Sequence, residues 1–232
     1  MKLGIMQPYF FPYIGYWQLI NAVDKYVIYD DVNFIKNGWI CRNRILMNGT
    51  PHYFSLHTFG ASSNLLINEV RVSSDKVLRN KMLKTLRTCY GKAPYFQDVY
   101  PLVEEILIYE EDNLARFLTN SITKVCSYIG VDTEIIVSSS IKKDNTLKGQ
   151  QKILEICNII KVKEYINAVG GQSLYSKEDF LKNKVELKFL ISKPFLYKQF
   201  KTEFLPDLSI IDVMMFNSKS EIKEILMEYK LL

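Results

Sequence analysis

The order of elements readable in the first thirty residues constrains the fold more than any other feature of the chain. Lys2 to Met6 is a short apolar run of buried-strand length, and Tyr16 to Val23 has the spacing of a helix feeding a second run, Tyr26 to Tyr29. Between them, Gln7 to Gly15 carries Pro8 and Pro12, so no regular element continues through it. A strand, loop, helix, strand unit sets two parallel strands side by side through a right-handed crossover, and ligands meet such units at the carboxyl end of the first strand. The loop from Gln7 to Gly15 is therefore the expected wall of a site.

Downstream, Trp39 to Met47 and Tyr53 to Leu56 read as strands around Asn48-Gly49, a strong hairpin signal. Glu69 to Val72 reads as a strand, and Ser74 starts a helix that runs to Gly91. Pro94 and Pro101 open a long helical region whose apolar residues keep helical spacing to Ile129, before Gly130. Alternation then resumes: strand Thr133 to Val137, helix Leu147 to Ile160, strand Glu164 to Ala168, a turn at Gly170-Gly171 and a helix from Ser176 to Lys182. Glu186 to Ile191 is expected as the last strand, followed by helices Leu208 to Phe216 and Glu221 to Tyr229, capped by Ser209 and Ser220. The expected fold is α/β, a Rossmann-like, mostly parallel sheet with an antiparallel hairpin insertion and a helical C-terminal half. One domain over residues 1–232 accommodates it, because 232 residues at 48% hydrophobic suffice for one sizeable core.

Cys41, Cys89, Cys126 and Cys157 lie far apart without a CxxC pair, and His52 and His57 are the two histidines that could join them, so no zinc site is expected. Reduced thiols, with no signal peptide and no apolar stretch of the roughly 20 residues a membrane span needs, make this a cytoplasmic protein by expectation. Its 30 lysines and arginines exceed 25 acids without forming the concentrated basic tract of a nucleic-acid binder.

The most distinctive constellation is Gln7-Pro8-Tyr9-Phe10-Phe11-Pro12-Tyr13-Ile14-Gly15-Tyr16, then Asp30-Asp31, then Lys36-Asn37-Gly38-Trp39-Ile40-Cys41-Arg42-Asn43-Arg44, and late in the chain Pro206-Asp207-Leu208-Ser209-Ile210-Ile211-Asp212. Together these segments resemble the WbqC-like proteins encoded in bacterial polysaccharide and O-antigen gene clusters. The resemblance implies a role in making surface-glycan sugars, with modification of an amino sugar attached to a nucleotide. More remotely, the first strand, its loop and Ile14 to Ile20 are similar to the HxGH loop and helix of nucleotidyltransferases and pantothenate synthetase. Tyr13 and Tyr16 stand where that template has its histidines, which argues against adenylyl transfer by that machinery.

Residue by residue, Gln7 ends a strand with an amide that can donate and accept, suited to a substrate or to bracing the loop. Tyr9 and Tyr13 are read as facing the site, whereas Phe10 and Phe11 are read as core. Of Asp30 and Asp31 one is expected to face the crevice as a general base, because strand side chains alternate. Arg42 and Arg44 share one strand face and, near Lys36, are read as a forked pyrophosphate contact, with Trp39 and Asn43 as further substrate-binding residues. His57 is an acid–base candidate, Gly171 belongs to a Gly170-Gly171-Gln172-Ser173 turn that can approach phosphate, and Gln199 is a polar group of an ordered loop. Ser138-Ser139-Ser140 is read as an ordinary loop.

The leading functional expectation is an amide-forming transferase that places an acyl or aminoacyl group on the amine of a nucleotide-linked deoxyamino sugar, dTDP-linked by preference. An acyl-carrier thioester, recruited on an acidic carrier protein, or ATP would activate the acyl group. The alternatives are a nucleotidyltransferase-like ATP-using enzyme and a non-catalytic binding protein of a glycan pathway whose aromatic loop is an interface.

Overall fold

The computed structural model of the protein describes residues 1–200 and 203–232. Among the described residues, five parallel strands and one antiparallel strand form the main sheet. Strands β1 (Lys2–Met6) and β2 (Lys25–Ile28) flank helix α1 (Ile14–Asn21), as the opening unit requires. The chain then leaves the sheet for two small antiparallel pairs, β3 (Arg42–Met47) with β4 (Thr50–Ser55), and β5 (Thr58–Phe59) with β6 (Arg71–Val72). Asn48 and Gly49 take positive φ of 50° and 77°, the conformation a two-residue primed turn needs. Helices α2 (Lys76–Tyr90), α3 (Phe96–Ile108) and α4 (Leu114–Ile129) follow, then β7 (Glu134–Val137), α5 (Gly149–Ile160), β8 (Glu164–Ala168), α6 (Lys177–Lys182) and β9 (Glu186–Ser192). Helices α7 (Ile210–Phe216) and α8 (Lys219–Met227) lead to a final strand, β10 (Tyr229–Leu231).

Across the sheet the order is β10-β9-β8-β1-β2-β7. The chain thus runs outward from β1 through β2 to β7, then returns to the other side of β1 for β8 and β9. That reversal beside β1 is the topological switch point of a Rossmann-like sheet, and the crevice at the carboxyl ends of its strands is where ligands bind in such folds.

Strict alternation divides the sheet between two cores. Leu3, Ile5, Val27, Tyr165, Leu187 and Phe189 face α5 and α6, packing on Ile153, Ile156, Cys157 and Phe180. Tyr26, Ile28, Ile166 and Leu190 face the larger core built by α1 to α4, α7 and α8. Gly4 lies where α1 crosses closest, and a Cβ there would come within 3.0 Å of the Tyr26 ring and 3.5 Å of Leu19.

Three expectations change. The long helical region after Pro94 is two helices, because Asp112 and Asn113 leave the helix to pair with β6 and its surroundings: Val72 N–H donates to the Asp112 carbonyl at 2.7 Å, and the Asn113 side chain caps α4 by accepting from Arg116 N–H at 3.1 Å. Glu186 to Ile191 is not the last strand, since Tyr229–Leu231 adds antiparallel to β9. Helix α8 is capped by Ser218, not Ser220, through a capping box with Glu221. Ser209 does cap α7, accepting from Ile211 N–H at 3.2 Å. No helix among the described residues is long and apolar enough to cross a membrane.

A buried network fixes the C-terminal half to the hairpin. The Asp212 carboxylate on α7 accepts from Tyr90 Oη at 2.8 Å, Tyr197 Oη at 2.6 Å and Gln199 Nε2 at 2.9 Å, and Tyr90 Oη in turn accepts from Leu46 N–H on β3. Among the described residues no cation joins these partners. Burial pushes the Asp212 carboxyl above its ordinary value of 3.8, and the hydrogen bonds from Tyr197, Tyr90 and Gln199 offset only part of that. A raised folded-state value means the unfolded chain ionises first, so this residue's contribution is fully present below the ordinary value and is lost as pH rises through the raised one. Asp212→Asn is therefore expected to remove one component of the fall in stability with rising pH. Urea unfolding of both proteins across a pH series beginning near 4 measures it; parallel curves would refute it.

Candidate functional site

The loop after β1 is held by its own backbone oxygens. Phe10 and Phe11 turn inward, with ring centroids 4.7 Å apart and Phe10 stacked on Phe54 at 5.7 Å. That turn puts Phe11 at φ 43°, a left-handed conformation that a bulky residue holds only under constraint. The constraint is visible. The Phe11 carbonyl accepts from Asn43 Nδ2 at 2.9 Å and Ser209 Oγ at 2.7 Å, and the Pro12 carbonyl accepts from Trp17 Nε1 and Ile210 N–H, each at 3.0 Å. Phe10 N–H donates to the Trp39 carbonyl at 3.2 Å.

With the phenylalanines inside, Tyr9 and Tyr13 face outward into a cavity of about 320 Å³. Trp39, Arg44 and Asp207 complete its walls, with Pro12 and Asn43 at its base. Burial, then the neighbouring Tyr13, raises the Tyr9 phenol; burial, then the Asp207 carboxylate, raises that of Tyr13. Both hydroxyls thus remain protonated donors at neutral pH. The Arg44 guanidinium lies over the Trp39 ring at 5.8 Å and donates from Nη2 to the Asp207 carbonyl at 3.2 Å, while its buried Nε has no partner among the described residues. An aromatic enclosure with an under-used guanidinium suits a planar or ring-shaped anionic ligand.

Five residues singled out in the sequence, Tyr9, Tyr13, Trp39, Asn43 and Arg44, meet in this cavity. Asn43 lines it while spending its amide on the loop: besides Phe11 it reaches the Phe10 carbonyl at 3.5 Å and accepts from Arg44 N–H at 2.8 Å. The forked arginine pair does not form, since Arg42 stacks over Tyr53 at 4.4 Å and donates to the Asn37 carbonyl, outside the cavity. Lys36 and His57 are exposed elsewhere. Gln7 is half-buried, its carbonyl accepting from Tyr16 Oη at 3.1 Å and its amide making no hydrogen bond among the described residues. Gln199 is committed to Asp212 and to both backbone groups of Leu205. Gly171 follows β8, where a Cβ would meet Asn167 Nδ2 at 2.4 Å, so glycine there permits close packing.

Alternation separates the two aspartates. Asp30 turns toward α4, where it accepts from Ser139 N–H at 2.9 Å, Ser139 Oγ at 2.6 Å and Asn68 Nδ2 at 3.3 Å, tying the ends of β2 and β7 together. Asp31 turns toward α5 and meets two lysines. Neither carboxylate lines the aromatic cavity. Asp207 does, and sequence reasoning assigned it no role; its place in the Pro206-Asp207-Leu208-Ser209 segment and its positive φ of 56° are the signals it carries. All four cysteines are free, and burial pushes the thiols of Cys41, Cys126 and Cys157 up to about 12, which leaves them poor nucleophiles.

Sheet order and cavity together define a Rossmann-like α/β protein whose candidate site is built by the loop after its first strand. Residues 7–224 match the WbqC-like protein family, and the chain belongs to that family. It is 23% identical over 223 residues to Uncharacterized protein Rv1507c of Mycobacterium tuberculosis, covering 95% of each chain. No solved structure matches it.

Asn43→Ala deletes the donor to the Phe11 and Phe10 carbonyls and is expected to cost about 1–3 kcal/mol. Chemical denaturation measures this, and a change below about 0.5 kcal/mol, the range of ordinary surface substitutions, would show that the loop does not depend on Asn43.

Proposed function

We propose that the protein is an amide-forming transferase acting on the amine of a nucleotide-linked deoxyamino sugar, dTDP-linked by preference. One observation carries this reading: Tyr9, Tyr13 and Trp39 enclose a cavity lined by the Arg44 guanidinium, whose Nε has no hydrogen-bond partner among the described residues. Aromatic faces suit a base or sugar ring, and the guanidinium suits a phosphate oxygen. A second cavity of about 460 Å³ shares Tyr13 and Asp207 with the first and is otherwise lined largely by apolar side chains, Phe195, Leu196, Tyr197 and Phe204 among them. The pair of cavities supports an acceptor on one side of Tyr13 and an acyl group on the other.

In this reading the neutral amine attacks the acyl carbonyl carbon of a carrier thioester. The C–N bond forms, the C–S bond breaks, the nitrogen loses a proton to Asp207, and the thiolate leaves to be protonated. The Tyr13 hydroxyl, held protonated by burial, donates to the oxygen on which charge develops. Asp207 takes the role that the sequence suggested for Asp30 or Asp31, because both of those carboxylates are engaged elsewhere. A net charge of +5 favours an acidic carrier.

Calorimetric titration with dTDP-linked and UDP-linked amino sugars tests the reading. Arg44→Ala is expected to weaken binding about tenfold or more, the scale of a lost charge-assisted hydrogen bond, whereas Lys36→Ala and His57→Ala leave it unchanged. Failure of every sugar nucleotide to bind, or an Arg44→Ala variant equal to the parent, would overturn it.

A further inference from the structure

Away from the aromatic cavity, the carboxyl ends of β2 and β7 meet the start of α5 around a charge arrangement that the transferase reading does not use. Asp31 Oδ2 lies 2.7 Å from Lys143 Nζ and 3.1 Å from Lys152 Nζ, and the three side chains are only 9%, 1% and 6% exposed. Lys152 Nζ also donates to the Asp31 carbonyl at 2.8 Å and sits 5.3 Å above the Tyr29 ring, and Lys143 Nζ donates to the Ser138 carbonyl. Two ammonium groups therefore share one carboxylate in the interior. Burying charge is costly unless it is matched, so a surplus cation held this way is a standing demand for an anion.

Among the described residues, the neighbouring acids Asp30, Glu155 and Asp144 do not answer that demand. Asp30 faces the opposite side of the sheet, with its oxygens taken by Ser139 and Asn68. Glu155 accepts from Asp144 N–H at 2.9 Å, and Asp144 accepts from Thr146 N–H at 2.8 Å and Thr146 Oγ1 at 2.7 Å. What Lys152 adjoins, together with Asp31 itself, is a cavity of about 430 Å³, lined also by Lys148, Gly149, Asn145, Ser139 and Tyr29. Gly149 opens α5, twelve residues long, and Lys148 at the cap position supplies no side-chain acceptor for the first-turn N–H groups. The positive end of that helix, the ammonium of Lys148 and the buried Lys152 therefore border one cavity.

We infer that this cavity binds a phosphoryl group, making it a second anion site distinct from the one at Arg44. It stands at the carboxyl edge of the parallel sheet, as the topology requires of a ligand site, and Tyr29 and Asn145 beside the charges offer further hydrogen-bonding groups. The inference is independent of the amide-transfer reading, since no step of that reaction passes through Lys148 or Lys152.

Inorganic pyrophosphate and ATP, titrated separately into the full-length protein by calorimetry, are the probes. Binding of at least one is expected, weakened severalfold by Lys148→Ala and at least tenfold by Lys152→Gln, with Lys36→Ala unchanged. Lys148 is exposed, so its variant reports on binding even if Lys152→Gln disturbs folding through Asp31. Binding of both probes supports a site for the phosphoryl group itself, and binding of ATP alone supports one for nucleotide-borne phosphate. Absence of binding by either, affinity unaffected by both Lys148→Ala and Lys152→Gln, or affinity lost in Arg44→Ala would overturn the inference. The last outcome would assign the phosphate to the aromatic cavity and leave the transferase reading standing.

Discussion

The carbonyl oxygen of Phe11 accepts hydrogen bonds from two side chains that the chain brings from far away, Asn43 32 residues on and Ser209 198 residues on. Everything about the aromatic cavity depends on that pair. A phenylalanine at positive φ is a local liability, sustained because its ring is fully buried and its oxygen is doubly satisfied. Once Phe11 is turned in, Tyr13 must turn out, and the hairpin that supplies Asn43 necessarily brings Arg44 alongside it. The loop, the hairpin and the segment before α7 thus form one unit, locked from below by Asp212 with Tyr90, Tyr197 and Gln199.

A second organising constraint is the alternation of side chains at the end of β2. Two adjacent carboxylates emerge there and leave on opposite sides of the sheet. Asp30 becomes a brace between strand ends, its lone pairs filled by amide and hydroxyl donors, while Asp31 becomes the anion of a lysine cluster. Burial alone would push the Asp31 carboxyl upward, but the ammonium groups of Lys143 and Lys152 beside it outweigh that and hold it below the usual aspartate range. Identical side chains one residue apart thereby acquire different chemistry from their surroundings.

Much of this architecture was legible from local pattern. The opening unit, the Asn48-Gly49 turn, the strand over Glu164 to Ala168 and the cap at Ser209 all rest on interactions within a few residues, where propensity and periodicity act. Less legible were features that depend on distant partners. The break between α3 and α4 follows from Asp112 and Asn113 serving β6 and Asn68, and β10 is too short to announce itself without β9 beside it. In the site, the aromatic residues and Arg44 were visible as a cluster in sequence, but Asp207 stands 163 residues from Arg44.

By itself, the sequence determined which residues crowd the end of β1 and which elements carry them, because short-range sterics and apolar spacing act before the chain has folded far. It also determined family membership, which depends on residue identity along the chain. Tertiary structure alone decided that Arg42 and Arg44 part company, that Asp30 meets Ser139 while Asp31 meets two lysines, and that Asp207 joins Tyr13. A charged or polar group takes its role from the partners that satisfy it in a low-dielectric interior, and those partners come from elements brought together only when the sheet and its two cores assemble.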